Sequence, residues 1–372
     1  MGDVAKITMG QSPNSNNYTS NPKDYILVQG NADMKNGQVH PRVWTTEVTK
    51  TASKGDLILS VRAPVGDVGK TGYDVVIGRG VAAIQGNEFI YQLLRQMKAA
   101  GYWTRFSTGS TFESINSFEI HNAVINLPDK HEQIEIGKLL LSFDRIITLH
   151  EEKKRQLERL KSALLQKMFA EKQGYPVVRF KGFCDEWQGT KLGKVSKIVR
   201  GASPRPISDP KWFDNDSNVG WLRISDVTSQ DGRIHHLEQH ISKQGQAKTR
   251  VISEPHLLLS IAATVGKPLI NYVKTGVHDG FLIFIEPHFD LEFMFQWLEM
   301  FRPQWSKYGQ PGSQINLNSD LVKNQIIYLP SREEQNQIGI FFNQIDSLIN
   351  LHQQKINNIN SVKKSLLQKM FI

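Results

Sequence analysis

Two stretches of the chain, 131–169 and 333–371, carry apolar residues at alternating spacings of three and four. This heptad spacing is typical of helices that wrap around one another. It predicts two long helices, and at 1.5 Å per residue each would be roughly 55–60 Å long. The apolar positions are Ile136, Leu139, Leu140, Phe143, Ile146, Ile147, Leu157, Leu160 and Leu164 in the first stretch, and Ile338, Phe341, Phe342, Ile345, Leu348, Ile349, Ile359, Val362 and Leu366 in the second.

The two helical segments are copies of one another. A shift of 202 positions aligns 127–169 with 329–371 without a gap, and 18 of the 43 positions are identical, including the final LLQKMF. A repeat of about half the chain indicates a duplicated domain pair rather than a solenoid.

Polar residues interrupt the apolar pattern in the middle of each helix. His150 and Lys153 in the first copy match His352 and Lys355 in the second. We predict that they occupy the seam between the helices, where polar residues fix the register at a cost in stability. The alternative for each histidine is a surface position. No third ligand accompanies the histidines, so the sequence predicts no metal site.

The segments before each long helix have the pattern of mixed α/β domains. Strand-like runs lie at 25–30, 56–61, 73–84, 219–227, 256–266 and 279–287, and amphipathic helix candidates at 89–103 and 291–305. The predicted fold class is α+β, with two mixed α/β domains alternating with two long helices that pack as an antiparallel coiled coil in a pseudo-two-fold internal repeat. The predicted boundaries are 1–128, 129–172, 173–330 and 331–372.

The globular parts also resemble each other, although much less than the helices do. GDVAKITMGQSP (2–13) matches GKVSKIVRGASP (193–204), and LSVRAPVG (59–66) matches LSIAATVG (259–266). Because the first helix leads from one globular part to the other and the second leads back, we expect the helices to be antiparallel and the domains to lie at opposite ends. Conserved helices with diverged domains suggest one scaffold that holds two different recognition surfaces.

The composition is that of an ordinary globular protein with a basic balance. The net charge is +9 and the pI near 9.4, which permits an acidic partner such as nucleic acid. The excess is spread along the chain; one basic run, 191–205, is either a DNA-binding patch or a solvated loop. The single cysteine, Cys184, excludes an intrachain disulfide, and the absence of long apolar runs and of a signal-peptide pattern predicts a cytoplasmic protein without a membrane span.

The paired LP…EQ…IG…D…LLQKMF blocks, the paired starts GDVAKI and GKVSKI, and YPVVRFKGFCDEWQGTKLGKV (175–195) together resemble the specificity (S) subunit of type I restriction–modification enzymes. The resemblance covers essentially the whole chain. It implies target-recognition domains at 1–128 and 173–330 and spacer helices at 129–172 and 331–372. The first domain lacks a counterpart of the 175–195 segment, so we expect a trimmed or alternatively started first half.

The resemblance also implies partners and cofactors. It implies double-stranded DNA as the ligand, read as an asymmetric bipartite site, with two copies of an adenine methyltransferase subunit and restriction/translocase subunits as protein partners. S-adenosylmethionine, ATP and Mg would be bound by those partner subunits and no cofactor by this chain.

Motifs for catalysis are absent from the sequence. The chain has no (N/D)PP(Y/F) tetrapeptide and no methyl-donor loop, and GDVGKT (66–71) has Pro64 where a phosphate-binding loop requires glycine. We therefore expect a non-catalytic subunit. A coiled-coil assembly scaffold without DNA specificity is the alternative, and a stand-alone DNA-modifying enzyme is a third reading that the missing motifs disfavour.

Candidate site residues come from the paired loops, because arginine, glutamine and asparagine read base edges while serine and threonine hold phosphates. A plain surface turn is the alternative for each loop. The predicted DNA-binding residues are Arg62, Arg79, Ser110, Thr111, Arg200, Ser203, Arg205, Arg223, Ser313, Gln314 and Asn316. The predicted helix–helix and partner-interface residues are Ile136, Phe143, His150, Leu157, Leu164, Ile338, Ile345, His352, Ile359 and Leu366.

Overall fold

The computed structural model describes residues 1–106, 114–170, 174–253, 255–261, 264–308 and 317–371, apart from the side chains of 306 and 308. The chain divides into two compact units, Met1–Glu151 with Gln354–Ile372 (unit 1) and Glu152–Gln353 (unit 2). Each unit therefore contains one globular part and about half of each long helix.

Short strands and two helices precede the first long helix. The strands are β1 Ile7–Met9, β2 Tyr18–Thr19, β3 Tyr25–Val28, β4 Met34–Lys35, β5 Gln38–Val39, β6 Val43–Thr45, β7 Thr51–Ala52, β8 Leu57–Ser60, β9 Val68–Lys70, β10 Val75–Ile77 and β11 Val81–Ile84. The helices are α1 Glu88–Ala99, α2 Ser117–His121 and the long α3 Lys130–Met168.

The second half of the chain follows the same plan. Its strands are β12 Gln188–Lys191, β13 Lys197–Arg200, β14 Gly220–Leu222, β15 Arg233–Ile234, β16 Arg250–Ile252, β17 His256–Ser260, β18 Pro268–Asn271, β19 Thr275–Val277, β20 Phe281–Ile285 and β21 Ile326–Leu329. Its helices are α4 Leu192–Val195, α5 Ile224–Ser229, α6 Lys243–Gln246, α7 Leu291–Phe301, α8 Ser319–Asn324 and the long α9 Arg332–Met370.

Equivalent strands occur in the same order in both units. In unit 1 one sheet runs β1-β11-β8-β9-β5-β4 and a second runs β2-β6-β3-β10-β7. In unit 2 the corresponding sheets run β13-β20-β17-β18-β15 and β14-β19-β16. The strand pair β3–β10 is parallel, as is its equivalent β14–β19. The internal repeat read from the sequence therefore extends through the diverged globular parts.

The long helices lie within one residue of their predicted limits, and each has 39 residues. Within unit 2, Lys154 Nζ donates to Gln353 Oε1 at 2.8 Å, and Lys161 Nζ donates to Asp346 Oδ1 at 2.5 Å. From the first contact to the second, the residue number increases by seven on α3 (154 to 161) and decreases by seven on α9 (353 to 346). The two helix halves in unit 2 are therefore antiparallel.

Each globular core incorporates one face of the adjacent helix halves. Ile136 and Leu140 belong to the core of unit 1, and Ile338, Phe342 and Ile345 belong to that of unit 2. Two glycines in matching positions allow this close packing. A Cβ at Gly137 would lie 3.2 Å from the backbone nitrogen of Phe89, and one at Gly339 would lie 3.0 Å from that of Phe293.

Several predicted elements differ from those observed. The run 73–84 is split into two strands, and the end of 219–227 forms helix α5 rather than strand. Helix α1 ends at Ala99 rather than at 103, because Gly101 adopts a φ of +68° and the Tyr102 amide donates to the Met97 carbonyl, which closes the helix as a Schellman motif. Such ends depend on backbone conformation rather than on apolar periodicity.

The predicted seam is only partly observed. Lys153 and Lys355 are exposed, and it is Lys154 that reaches α9. A step of one residue turns a helix by about 100°, because there are 3.6 residues per turn. Three of the apolar doublets are divided in the same way, because Leu139, Ile146 and Leu348 are exposed while the residue after each of them faces inward.

Candidate nucleic-acid interface

In each unit a short loop holds the turn between two later strands. The loop follows β1 and holds the β10–β11 turn in unit 1, and it follows β13 and holds the β19–β20 turn in unit 2. In unit 1 the Ser12 hydroxyl accepts a hydrogen bond from the Arg79 amide at 3.0 Å. In unit 2 the Ser203 hydroxyl accepts one from the Asp279 amide at 3.1 Å. The paired loops GQSP and GASP therefore bind the same backbone position in both units. The residue at that position is Arg79 in unit 1 and Asp279 in unit 2, so the two side chains carry opposite charges.

Unit 1 has an open polar groove of about 1020 Å³ beside this loop. Arg42, Arg62 and Arg79 line it and are all exposed, whereas Asp33 is its one acidic lining residue among those described and is 4% exposed. Further lining residues that carry hydrogen-bonding groups are Ser12, Asn14, Tyr18, Gln29 and Asn31. The groove thus combines cationic side chains with amides that can pair with base edges.

In unit 2 arginines surround Asp279. Its carboxylate accepts hydrogen bonds from Ser203 Oγ at 2.6 Å and Arg205 Nη2 at 2.7 Å, and its backbone carbonyl accepts one from Arg200 Nε at 2.6 Å. Arg250 Nε in turn donates to the carbonyl of Arg200 at 2.7 Å. Three arginines are therefore brought to one edge of the domain, and Arg205 is 72% exposed.

The electrostatics of this edge favour an ionised Asp279 and a neutral imidazole. Burial opposes ionisation of Asp279, but the Ser203 hydrogen bond together with His278, Arg205 and Arg200 holds its pKa below the ordinary value. Burial also lowers the pKa of His278, against the raising effect of Asp279. The positive charge at this edge therefore comes from Arg200, Arg205 and Arg250 rather than from His278.

A groove in unit 2, of about 510 Å³, has a more apolar lining than the unit 1 groove. Arg223 lies in it, but its Nε and Nη2 groups donate to the buried Asp226, and Nη2 also donates to Glu238 at 3.2 Å. Other lining residues are Ile207, Phe213, Trp221, Gln239 and His278. The two units therefore present different chemistry from equivalent positions.

The structure locates six of the predicted DNA-binding residues on these surfaces. Arg62 and Arg79 share the unit 1 groove, Arg200, Ser203 and Arg205 surround Asp279, and Arg223 lies in the unit 2 groove. Ser110, Thr111, Ser313, Gln314 and Asn316 lie outside the described residues. The structure leaves the DNA-binding role of the whole set a prediction.

The sequence analysis missed two arginines, Arg42 in the unit 1 groove and Arg250 beside Arg200 at the Asp279 edge. Arg42 follows the dipeptide Asn36–Gly37, a hairpin signal that could have indicated a returning strand. Arg250 has no such signal, because nothing in its local sequence points to the carbonyl of Arg200.

The predicted interface residues occupy the inner and flanking faces of the helices. Ile136, Ile338 and Ile345 are buried, and the partly buried residues are Phe143, His150, Leu157, Leu164, His352, Ile359 and Leu366. Their role in binding a partner stays a prediction.

Exposed apolar residues on the helices recur at the 202-residue repeat. In unit 1 they include Ile146, Leu149 (63% exposed) and Val362, and the repeat places Leu348, Leu351 and Leu160 at the corresponding positions in unit 2. Contiguous exposed apolar positions mark interaction surfaces. Each unit thus carries a version of the same apolar helix surface. No helix in the described ranges is apolar over a length that could cross a membrane.

Residues 1–159 and 184–361 match the type I restriction modification DNA specificity domain. The chain belongs to this family. Among related specificity subunits of Methanocaldococcus jannaschii, the putative MjaX subunit is 32% identical over 166 residues, covering 43% of this chain and 39% of the relative. The MjaVIII subunit is 24% identical over 277 residues, covering 70% and 64%. The matched parts span less than two thirds of these relatives.

Solved structures of specificity subunits have the same fold. The S subunit of a type I restriction–modification system from M. genitalium superposes with a TM-score of 0.64 at 14% identity, over 100% of this chain and 94% of the other. A chain from a type I system studied for complex assembly and conformational transition gives a TM-score of 0.58 at 18% identity, over 99% and 95%. The predicted α+β fold with two specificity domains and two long helices is confirmed.

Proposed function

We propose that this chain is the specificity subunit of a type I restriction–modification enzyme and that each unit reads one half of an asymmetric, bipartite DNA site. The observation that carries the proposal is the pair of basic surfaces built on equivalent loops with different side chains. Three arginines and several amides line the unit 1 groove, whereas the unit 2 groove combines aromatic and aliphatic side chains with a single arginine, Arg223. Because base edges are distinguished by hydrogen-bonding pattern and by the thymine methyl group, such different linings favour different half-sites.

The helices are the proposed docking sites for two copies of an adenine methyltransferase subunit. A surface with the same apolar positions is present once in each unit, which favours two equivalent partners. In this proposal the chain has no catalytic activity of its own. S-adenosylmethionine would bind to the methyltransferase subunits, and ATP and Mg would act in the complex with the restriction/translocase subunits.

The test is to express the full chain with an adenine methyltransferase subunit and to sequence methylated sites in a randomised DNA library. We expect adenine methylation within one bipartite sequence, none with either subunit alone, and a complex that contains two methyltransferase copies. Methylation that is independent of sequence, or methylation by this chain alone, would overturn the proposal.

The alternative is an assembly scaffold without DNA specificity, which the exposed apolar helix positions would also serve. The same experiment separates the two functions. A scaffold would bind the methyltransferase but would leave its DNA preference unchanged.

A further inference from the structure

A tight hairpin brings Arg42 to the unit 1 groove. Strands β4 and β5 pair antiparallel across the two-residue turn Asn36–Gly37, where φ is +52° and +71°. Both positive values match a type I′ turn, for which Asn-Gly is the preferred sequence. The chain therefore reverses directly after Lys35, and the His40 amide donates to the Asp33 carbonyl at 2.7 Å. This anchors the segment that leads to Arg42.

The carboxylate of Asp33 holds the arginine in place. Its Oδ2 accepts hydrogen bonds from the amides of Gln29 at 2.8 Å and Gly30 at 3.3 Å, at the end of strand β3. Its Oδ1 accepts one from Arg42 Nε at 3.1 Å. The Asp33 side chain is 6% exposed and that of Arg42 is 54% exposed. A buried, backbone-fixed carboxylate thus orients an arginine whose outer end faces the groove.

The outer end of Arg42 keeps its hydrogen-bonding capacity. Nε is used by Asp33, and Nη1 and Nη2 make no hydrogen bond with any described residue. Guanidinium donors form a planar fork, so the Nη1–Nη2 edge can still contact two acceptors at once. An anchored side chain also loses less conformational entropy when it binds. Arg62 and Arg79 have no such carboxylate among the described residues, and cationic side chains of this kind commonly contact phosphates.

Unit 2 has an equivalent aspartate, but its arginine is engaged differently. Asp226 follows strand β14, the counterpart of β3, and its Oδ2 accepts the Arg223 amide at 2.8 Å. The Arg223 guanidinium then folds back onto the same Asp226 and onto Glu238. Two carboxylates therefore neutralise the Arg223 guanidinium. Its Nη2 group, which is equivalent to a donor that Arg42 leaves available in unit 1, is already hydrogen-bonded within unit 2.

We infer that Arg42 is a specificity-determining residue, positioned by Asp33 to contact a guanine edge in the half-site that unit 1 reads. Bidentate contact of arginine with the O6 and N7 atoms of guanine is the commonest specific contact in the major groove. The inference rests on the proposed function. It predicts a guanine requirement at one base pair of the first half-site.

The test uses the full chain in complex with the methyltransferase subunit, with variants Arg42→Lys, Arg42→Gln and Asp33→Asn. Lys54→Ala is the control, because Lys54 is an exposed cation of unit 1 that does not line the groove. Methylated sites from a randomised library give the base preference, and fluorescence anisotropy at several salt concentrations gives the affinity. Thermal unfolding identifies variants that have lost their fold.

For Arg42→Lys we expect the preference for guanine at one position of the first half-site to fall by about tenfold or more. Preferences in the second half-site should be unchanged, which is the internal control. Asp33→Asn should weaken the same preference less, and Lys54→Ala should keep both half-sites.

Two results would overturn the inference while leaving the proposed function intact. One is an unchanged preference in both folded Arg42 variants. The other is that Arg42→Gln loses the same affinity for every DNA sequence, that the salt dependence of binding falls by about one phosphate contact, and that Arg42→Lys restores both. Arg42 would then contact a phosphate rather than a base. A wild-type complex without any base preference would overturn the proposed function as well.

Discussion

The ammonium group of Lys363 donates a hydrogen bond of 2.6 Å to Oδ1 of Asp144, which joins the two long helices inside unit 1. The second carboxylate oxygen of Asp144 accepts hydrogen bonds from Gln92 at 2.8 Å and Arg95 at 3.0 Å. The same carboxylate therefore connects both helix halves to helix α1 of the globular part. The 202-residue repeat places Lys161 and Asp346 in the corresponding pair in unit 2.

Replacing Lys363 by methionine should destabilise unit 1 by about 2–4 kcal/mol, because a largely buried carboxylate loses its ammonium partner. The Lys363 side chain is 6% exposed and that of Asp144 is 27% exposed. Lys161→Met is the matched control and should cost less, because Asp346 keeps an arginine, Arg233, that is only 14% exposed, whereas the arginine left to Asp144, Arg95, is 42% exposed. Chemical denaturation of both variants measures the difference. Equal losses in the two variants would show that the burial of the remaining arginine does not matter.

The same pair predicts a pH dependence. Burial opposes ionisation of Asp144, but hydrogen bonds from Lys363 and Gln92 and the charge of Arg95 hold its pKa below the ordinary value of about 3.9. A depressed folded-state pKa contributes stability above the unfolded value and loses it as the pH falls through the folded value. The difference in unfolding free energy between wild type and Asp144→Asn should therefore be constant above about pH 5 and should shrink below about pH 4. A constant difference down to pH 3 would contradict this assignment.

The exposed helix leucines should control the number of bound methyltransferase copies. We expect Leu149→Glu to leave one copy bound, Leu351→Glu to leave one copy bound, and the double variant to bind none, because each charge must be desolvated in an apolar interface. Stability should change by no more than about 0.5 kcal/mol, since both positions are exposed. Native mass spectrometry gives the stoichiometry, and Gln156→Glu is a control at another exposed helix position. Two copies on the double variant would place the interface elsewhere.

Neutralising Asp279 should release the arginines that it holds. In Asp279→Asn we expect tighter binding to unrelated DNA and weaker discrimination in the second half-site, because Arg205 loses its ion pair and its fixed orientation. Competition binding with cognate and random duplexes measures both quantities. A uniform loss of affinity would instead indicate that Asp279 supports the fold of the loop.

Lengthening both helices should change the spacer without changing the half-sites. One heptad inserted after Lys153 and one after Lys355 adds about 10 Å to each helix. The preferred spacer should then shift by a few base pairs, as read from methylated sites. New half-site bases with the original spacer would contradict the separation of recognition domains from spacer helices.

The sequence by itself determined the two long helices, the duplication and the family. Heptad spacing and an ungapped repeat are local signals, because helix periodicity is set by neighbouring residues along the chain. The paired loops GQSP and GASP were also correctly matched, and their serines hold equivalent backbone positions in both units.

The tertiary structure alone decided which side chains meet. Asp144 and Asp346 are equivalent in the repeat, as are Lys161 and Lys363. No pattern in the sequence indicates that the aspartate of each copy pairs with the lysine of the other copy. Arg42 was missed for the same reason, since its link to Asp33 depends on a hairpin and on a strand end rather than on spacing. Periodicity defines the face of an element, whereas a contact between elements depends on how their faces are packed in space.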